Sequence, residues 1–325
     1  MKLRYAHTNL VARDWRALAR FYTEVFGCEQ VGPERGLHGA TVAAGIGREG
    51  SRLAGVHLRL PGFGLDGPTL ELYRYDPLTD TEPSAVLRRG YGHLAFEVDD
   101  LVGMHARVLA AGGRAVGAVV TTPAGSRWVT WCYVTDPEGN PIELQRWWQS
   151  PEGLVVRPER DADRHAVRQC NRDAFGRDAE ADLVDALRHA DVARRAWVAV
   201  LDEKVVGHLL VTAVTVEAPG RARGAWAIGP MSAAPAAQRT GVGTALLATA
   251  LAALRDEGVE RVFVLGHPSY YPRLGFERAD ARGLRWEGGH DEAFFVLGLR
   301  PGFDDFGSGV VRYHPLFGGA GRTAK

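Results

Sequence analysis

Tyr91-Gly92-His93-Leu94-Ala95-Phe96-Glu97-Val98-Asp99-Asp100 decides the reading of the first half of the chain, because it repeats something already met. Tyr5-Ala6-His7 opens the chain in the same way, and self-similarity of this kind has to be settled before any single element is assigned. Working outward, each histidine is followed by an acidic cap and an amphipathic helix. Asp14 precedes Trp15, Leu18, Tyr22 and Val25, which share one helical face, and Gly27 stops the helix. Asp99 and Asp100 precede Leu101, Met104, Val108 and Leu109, with Gly112-Gly113 as the stop. Strand-like stretches follow in both copies and end alike, on Leu70-Glu71-Leu72 and on Ile142-Glu143-Leu144. Turn formers precede those endings, Gly62 to Pro68 in one copy and Asp136 to Pro141 in the other. Each copy therefore reads as strand–helix–strand–strand–strand, and two copies make one domain.

The repeat also places chemistry. It puts His7 and His93 on the two first strands and Glu71 and Glu143 on the two last. If two curled sheets meet pseudo-symmetrically, the four side chains converge on one cavity. Two imidazoles with two carboxylates suit a divalent first-row ion (Ni, Co, Zn, Mn or Fe) that keeps positions open for water or substrate. Both glutamates sit between apolar neighbours at corresponding positions, as inward-facing ligands would.

Taken together, Tyr5-Ala6-His7, Leu70-Glu71-Leu72, Gly92 to Asp100 and Asp136 to Leu144 resemble the vicinal oxygen chelate superfamily. That group contains glyoxalase I, the bleomycin- and fosfomycin-resistance proteins and the extradiol dioxygenases. The likeness covers residues 1 to about 148 and implies paired βαβββ modules with a metal at His7, Glu71, His93 and Glu143. The 2-His-2-Glu set looks most like the glyoxalase I branch. It implies a lyase or isomerase in which a Lewis acid holds a carbonyl and Glu143 or Glu71 takes the adjacent proton. Leu72-Tyr73-Arg74-Tyr75 departs from the Thr- and Asn-containing stretch of enzymes acting on glutathione hemithioacetals, which argues against that substrate.

Gln149-Ser150-Pro151-Glu152-Gly153 breaks the pattern, and a new strand begins at Leu154-Val155-Val156-Arg157-Pro158. Asp161 and Asp163 can cap a helix running toward Phe175, and Asp178 another through Leu183 and Leu187. Residues 196–201 and 205–216 read as a hairpin about Asp202-Glu203-Lys204, and 225–231 as a further strand. Then come Gln238-Arg239-Thr240-Gly241-Val242-Gly243, a helix from Thr244 to Glu257, a strand from Arg261 to Leu265, and Tyr270-Tyr271-Pro272-Arg273-Leu274-Gly275-Phe276. A glycine turn entering a helix offers unpaired N–H groups and the positive end of the dipole, a setting for pyrophosphate. It is neither a Walker loop, since no Lys-Ser/Thr follows, nor a dinucleotide fingerprint, since the third glycine is missing.

The order of these elements resembles the GNAT superfamily of N-acetyltransferases over residues 153 to about 315. That likeness implies acetyl-CoA, with Gln238, Arg239, Thr240, Gly241, Val242, Gly243 and Thr244 around its pyrophosphate. It further implies Met231 and Ser232 beside the pantetheine arm and Tyr271 as proton donor to the leaving thiolate. Tyr270 is the neighbour to compare with it, and Glu217 a candidate base for the attacking amine. The expected fold is α+β: paired βαβββ modules in residues 1–149, then a mixed α/β GNAT domain with a central, mostly antiparallel sheet in 153–325.

Composition agrees with two domains, since 325 residues at roughly 150 per domain give about two. Thirty-nine basic and 39 acidic residues cancel, which argues against a nucleic-acid partner needing a basic face. The longest apolar-rich run, Ala245 to Leu254, has ten residues, too few for a bilayer. The stretch from Met1 to His7 lacks the apolar centre of a signal peptide. Cys28, Cys132 and Cys170 are too scattered for a disulfide framework and read as buried small hydrophobes. Only Lys2, Lys204 and Lys325 are lysine, an Arg-for-Lys bias that fits a GC-rich bacterial genome. The expectation is a cytoplasmic enzyme of small-molecule substrates, with no membrane partner. Whether the chelate modules pair within one chain or across a homodimer stays open. A rival reading makes the first domain a module that captures a small natural product without turnover, between aromatics such as Trp128, Trp131, Trp147 and Trp148, while the second acetylates it.

Overall fold

The structure is a computed structural model that describes residues 3–79, 84–125, 127–300 and 307–320. Met1, Lys2 and Lys325, used above, lie outside the described residues. The chain forms two compact units, Met1–Gly117 with Cys132–Gln145, and Ala118–Trp131 with Arg146–Lys325.

The duplicated half consists of β1 (His7–Val11), α1 (Trp15–Phe26), β2 (Glu29–Leu37), α2 (Ala40–Ile46), β3 (Arg52–Arg59) and β4 (Thr69–Asp76), then β5 (Leu94–Glu97), α3 (Leu101–Ala110), β6 (Arg114–Ala115), β7 (Val120–Ala124), β8 (Arg127–Thr135) and β9 (Pro141–Trp148). One sheet has the order β1-β4-β3-β2 and the other β5-β9-β8-β6, with β7 also on β8. In both, the first strand runs parallel to the last while the strands after the helix pair antiparallel. That is the βαβββ pattern twice, with α2 inserted after β2 in the first copy and with β6 and β7, both paired to β8, together taking one strand position in the second. The helices start as their caps dictate. Asp14 accepts from the backbone N–H groups of Arg16 and Ala17, and Asp100 from that of Gly103. Gly27 ends α1 in the left-handed conformation. For α3 the C-cap is Ala111, one residue before the expected glycines. Helix α2 was not expected; it buries no residue, so its sequence carries no apolar stripe to read.

Alternation fixes the two glutamates. Leu70, Leu72, Ile142 and Leu144 are fully buried, so Glu71 and Glu143 between them point to the opposite face of their sheets. The launch of β9 is held by Asp136. Its carboxylate accepts from the backbone N–H groups of Glu138 and Asn140, from the Asn140 amide and from the Tyr22 hydroxyl of α1. All three cysteines are buried and unpaired, as expected.

The remaining elements are β10 (Val155–Pro158), α4 (Arg164–Phe175), α5 (Ala179–His189), β11 (Ala193–Leu201), β12 (Lys204–Ala218), β13 (Arg221–Ala233), α6 (Val242–Asp256), β14 (Arg261–Leu265), β15 (Glu277–Arg278), β16 (Leu284–Trp286), β17 (Phe294–Gly298), β18 (Gly309–Arg312) and α7 (Phe317–Ala320). The sheet order is β10-β11-β12-β13-β14-β17-β15, with β18 on β12 and β16 on β18. Its pairs are antiparallel except β13 with β14 and β16 with β18. Helix α6 packs Leu246, Leu247, Ala250, Leu251 and Leu254 against Trp197, Leu209, Val211 and Val262. Each such leucine contributes about 1.5–3 kcal/mol by leaving water. Phe263, alternating with Val262 and Val264, packs on the other face with Val214, Val216, Phe294 and Val296. A strand that is apolar on both faces belongs at the centre of a sheet.

Candidate functional site

In the second unit the site begins where two strands part. Parallel pairing of β13 with β14 runs from Trp226↔Val262 to Ile228↔Val264 and goes no further, although β13 continues to Ala233. Past Ile228 the strand meets Gly229 and Pro230, and proline has no N–H for a ladder. A register shift opposite, between Leu209 and Val211, marks the same place. The parted strands open onto a cavity of about 940 Å³.

Helix α6 enters this cavity by its N-terminus. Gly241 is the N-cap, with φ 95°, a left-handed conformation that glycine alone adopts freely, and it supplies no side-chain acceptor to the first turn. Across the cap, the Ala245 N–H donates to the Gly241 carbonyl. The earlier N–H groups of the turn face the cavity end, the arrangement that binds anions. Arg239 also has a positive φ of 64°, which curls the chain into the turn.

Of the residues assigned from sequence to this site, Met231, Ser232, Gln238, Arg239, Gly241, Gly243, Thr244 and Tyr271 line the cavity, as does Tyr270. Two assigned residues turn their side chains elsewhere. Val242 is fully buried in the main core, and the Thr240 hydroxyl donates to the Ala237 carbonyl at 2.8 Å. Glu217 does not belong to this cavity. It is half-exposed, bound by Arg312, and lines a separate shallow surface pocket with Asp280 and Arg285. The reading of Glu217 as a base is therefore corrected.

The two tyrosines differ in their surroundings. Tyr271 is 7% exposed and its hydroxyl points at the Met231 sulfur, 4.0 Å away. Burial raises its pKa well above the usual phenol value, so it carries its proton throughout the physiological range. The Tyr270 hydroxyl is buried without a satisfying hydrogen-bond partner and lies against Gly243, 3.3 Å from where a β-carbon would stand. Burial pushes Tyr270 up to about 12, against an opposing pull from the Thr244 hydroxyl and the Arg273 charge. An orphaned hydroxyl beside bare backbone N–H groups is a polar surface without its polar partner. Phosphate and amide oxygens of a cofactor would supply one, so these residues fit acetyl-CoA.

In the first unit, the structure gathers the four expected metal ligands two by two. His7 Nδ1 lies 3.4 Å from Glu71 Oε1, and His93 Nε2 lies 2.9 Å from Glu143 Oε2. Sequence reasoning missed His57. It stands directly across from Glu71 in the β3–β4 register, with Nε2 3.0 Å from the same Oε1 and 2.8 Å from the Tyr73 hydroxyl. Burial lowers the His57 pKa, with Glu71 opposing. The second copy has an aromatic in the corresponding strand. Tyr133 of β8 stands 5.0 Å from the His93 ring and hydrogen-bonds Glu143. Two imidazoles thus face one carboxylate oxygen of Glu71, and an imidazole and a phenol engage Glu143, rather than all pointing at a common vacant centre. Among the described residues no group of three or more His, Cys, Asp and Glu is arranged to hold a metal ion. The donor types suit a divalent cation, but this placement does not fit the three or four protein ligands such an ion takes. No chemical step is assigned to one.

Two family models match the chain. The family model "Glyoxalase/Bleomycin resistance protein/Dioxygenase superfamily" matches residues 4–144, and "Acetyltransferase (GNAT) domain" matches 155–279. The uncharacterized N-acetyltransferase YjhQ of Escherichia coli K12 is 39% identical over 118 residues, 36% of this chain and 65% of that protein. The uncharacterized N-acetyltransferase YhbS of the same strain is 30% identical over 168 residues, 50% of this chain and 98% of that protein. Among solved structures, YhbS in complex with CoA shares 29% identity with a TM-score of 0.48, over 52% of this chain and 95% of that one. A glyoxalase family protein from Bacillus cereus shares 21% identity with a TM-score of 0.37, over 45% of this chain and 94% of that one. By its second unit the chain belongs to the GNAT family, and a domain of the glyoxalase/bleomycin resistance protein/dioxygenase superfamily precedes that unit.

Proposed function

We propose that the second unit transfers an acetyl group from acetyl-CoA to the amine of a small molecule. The observation that carries this reading is the opening between β13 and β14, which leads onto both the uncapped start of α6 and the protonated Tyr271. The pyrophosphate would take the free N–H groups of the turn, with Arg239 adding charge. The thioester arm would lie along the unpaired edge at Met231 and Ser232. The neutral acceptor amine attacks the thioester carbonyl, a C–N bond forms, the C–S bond breaks, the departing sulfur takes the Tyr271 proton, and the proton that the nitrogen gives up restores the Tyr271 hydroxyl. YhbS, the 30% identical relative, carries the description N-acetyltransferase, and its crystal structure holds CoA. Isothermal titration with acetyl-CoA tests the reading. Wild-type protein binds, and Gly241→Trp, which forces a bulky residue to φ 95° and drives its β-carbon against the Gln149 carbonyl so that the turn must shift, loses affinity at least 100-fold. Equal binding by folded Gly241→Trp defeats it.

For the first unit we propose small-molecule capture, because both glutamates of the expected metal set are already engaged by imidazole and phenol groups. Metal analysis and sedimentation of chelator-free protein separate this from the metal-dependent lyase or isomerase reading. Capture predicts metal-free protein. Stoichiometric divalent metal that disappears in His93→Ala and Glu143→Ala would instead restore the four-ligand site, and its loss together with dimerisation would place that site across a homodimer.

A further inference from the structure

The cavity of the second unit is larger than its cofactor end. Beyond Tyr271 its wall passes to Phe175 at the end of α4, Glu180 and Leu183 of α5, Trp286 at the end of β16, Tyr313 just after β18, and Phe317 of α7. Three of these form a slot of crossed rings. Trp286 and Tyr313 are edge-to-face at 6.3 Å and 79°, and Tyr313 and Phe317 at 5.0 Å and 77°. The Tyr313 hydroxyl is buried and has no hydrogen-bond partner. It lies near enough to Tyr271 for the charge of one to shift the other upward, which sets the slot beside the proton donor. A buried hydroxyl left unpaired is destabilising, so it marks a place where a partner is expected.

The charges in the cavity narrow what that partner can be. Among the described lining residues Glu180 is the one carboxylate, and Arg177 already holds it through Nε and Nη2. Arg239 and Arg273 line the same cavity. A polyamine or an amino sugar would bring several positive charges to a wall whose one carboxylate is already half-neutralised by Arg177. A flat ring entering the slot gains aromatic contacts in addition to its buried area.

We propose that this end of the cavity is the acceptor subsite and that it takes a monoamine on a flat aromatic body, with Trp286 and Phe317 gripping the ring and the Tyr313 hydroxyl bonding to it. This assignment deepens the acetyltransferase reading and rests on it for the reaction, though not for binding. The test uses the full chain and two independent readouts. Titration calorimetry with tryptamine, without cofactor, reads the slot. Thiol release from acetyl-CoA compares tryptamine and phenethylamine with spermidine and a lysine peptide. The expected result is tryptamine binding weakened about tenfold in Tyr313→Phe and more in Trp286→Ala, with kcat/KM for the aryl amines at least 100-fold above spermidine and the peptide. Tryptamine binding unchanged in both variants, or preferred turnover of spermidine or the peptide, overturns the assignment. If tryptamine binds as expected but acetyl-CoA does not bind at all, the acetyltransferase reading fails and the aromatic subsite stands. If acetyl-CoA binds and tryptamine does not, the subsite fails alone.

Discussion

At the scale of single residues the strongest commitment concerns Tyr271. Burial holds its proton firmly, and the Met231 sulfur beside it is too weak an acceptor to compete for that proton. General acid assistance of this kind contributes about 10²–10⁴-fold. Tyr271→Phe should therefore lower kcat for thiol release at pH 7 at least 100-fold while leaving the KM for acetyl-CoA within about threefold. A kcat within threefold of wild type would show that the thiolate leaves unaided and that Tyr271 only packs. That Tyr271 lines the cavity followed from the likeness its motif carries, whereas His57 was out of reach, because its place depends on register. The turn between β3 and β4 sets residue 57 opposite residue 71, and a slip of one residue would have put Leu58 there and His57 on the other face. Glu217 was misread for a related reason. A carboxylate near the end of a strand says nothing about which cavity it borders until the neighbour, here Arg312 on β18, is known.

At the scale of elements, what could be read was what is enforced locally. Helices α1 and α3 begin at their capping aspartates, and α6 begins two residues earlier than expected, at Val242, because Gly241 is its cap. Where a cap has a better offer the local rule fails. Asp178 precedes α5 as expected but makes no side-chain cap bond; its carboxylate goes to Arg172 and lies near Arg168, both of α4. Helix α4 itself is rich in polar residues and buries only Val167, Cys170 and Asn171, so periodicity alone understates how it is fixed. What fixes it is a polar contact with the sheet. The Asn171 amide donates to the Val167 carbonyl and to Nδ1 of the fully buried His208 on β12. Burial lowers the His208 pKa, with Glu159 opposing, and the accepting Nδ1 leaves its proton on Nε2, 3.4 Å from the Glu159 carboxylate. The parting of β13 from β14 was equally out of reach, since it depends on which strand lies beside which. So was the aromatic slot, whose members are separated in sequence by the whole of β17 and β18.

At the scale of the whole molecule, the buried clusters of the second unit draw their members from Leu154 to Phe317. Helix α6, whose N-terminus opens on the cavity, has its buried face within the largest of them. The Tyr22, Leu70, Leu72, Ile142 and Leu144 core of the first unit contributes to none of these. A ligand at the start of α6 therefore acts on one core. At a free concentration 100 times its dissociation constant it stabilises the state it binds by about 2.7 kcal/mol. For a domain of this size about 1 kcal/mol moves the midpoint by roughly 2–4 °C. Scanning calorimetry of the full chain should accordingly resolve two transitions, of which saturating acetyl-CoA raises one by about 5–10 °C and leaves the other within 1 °C. The transition that moves should be the one whose ligand shift disappears in Gly241→Trp. A single transition that rises as a unit would mean that the two cores unfold together, and that a ligand captured by the first unit would raise the stability of the acetyltransferase as well.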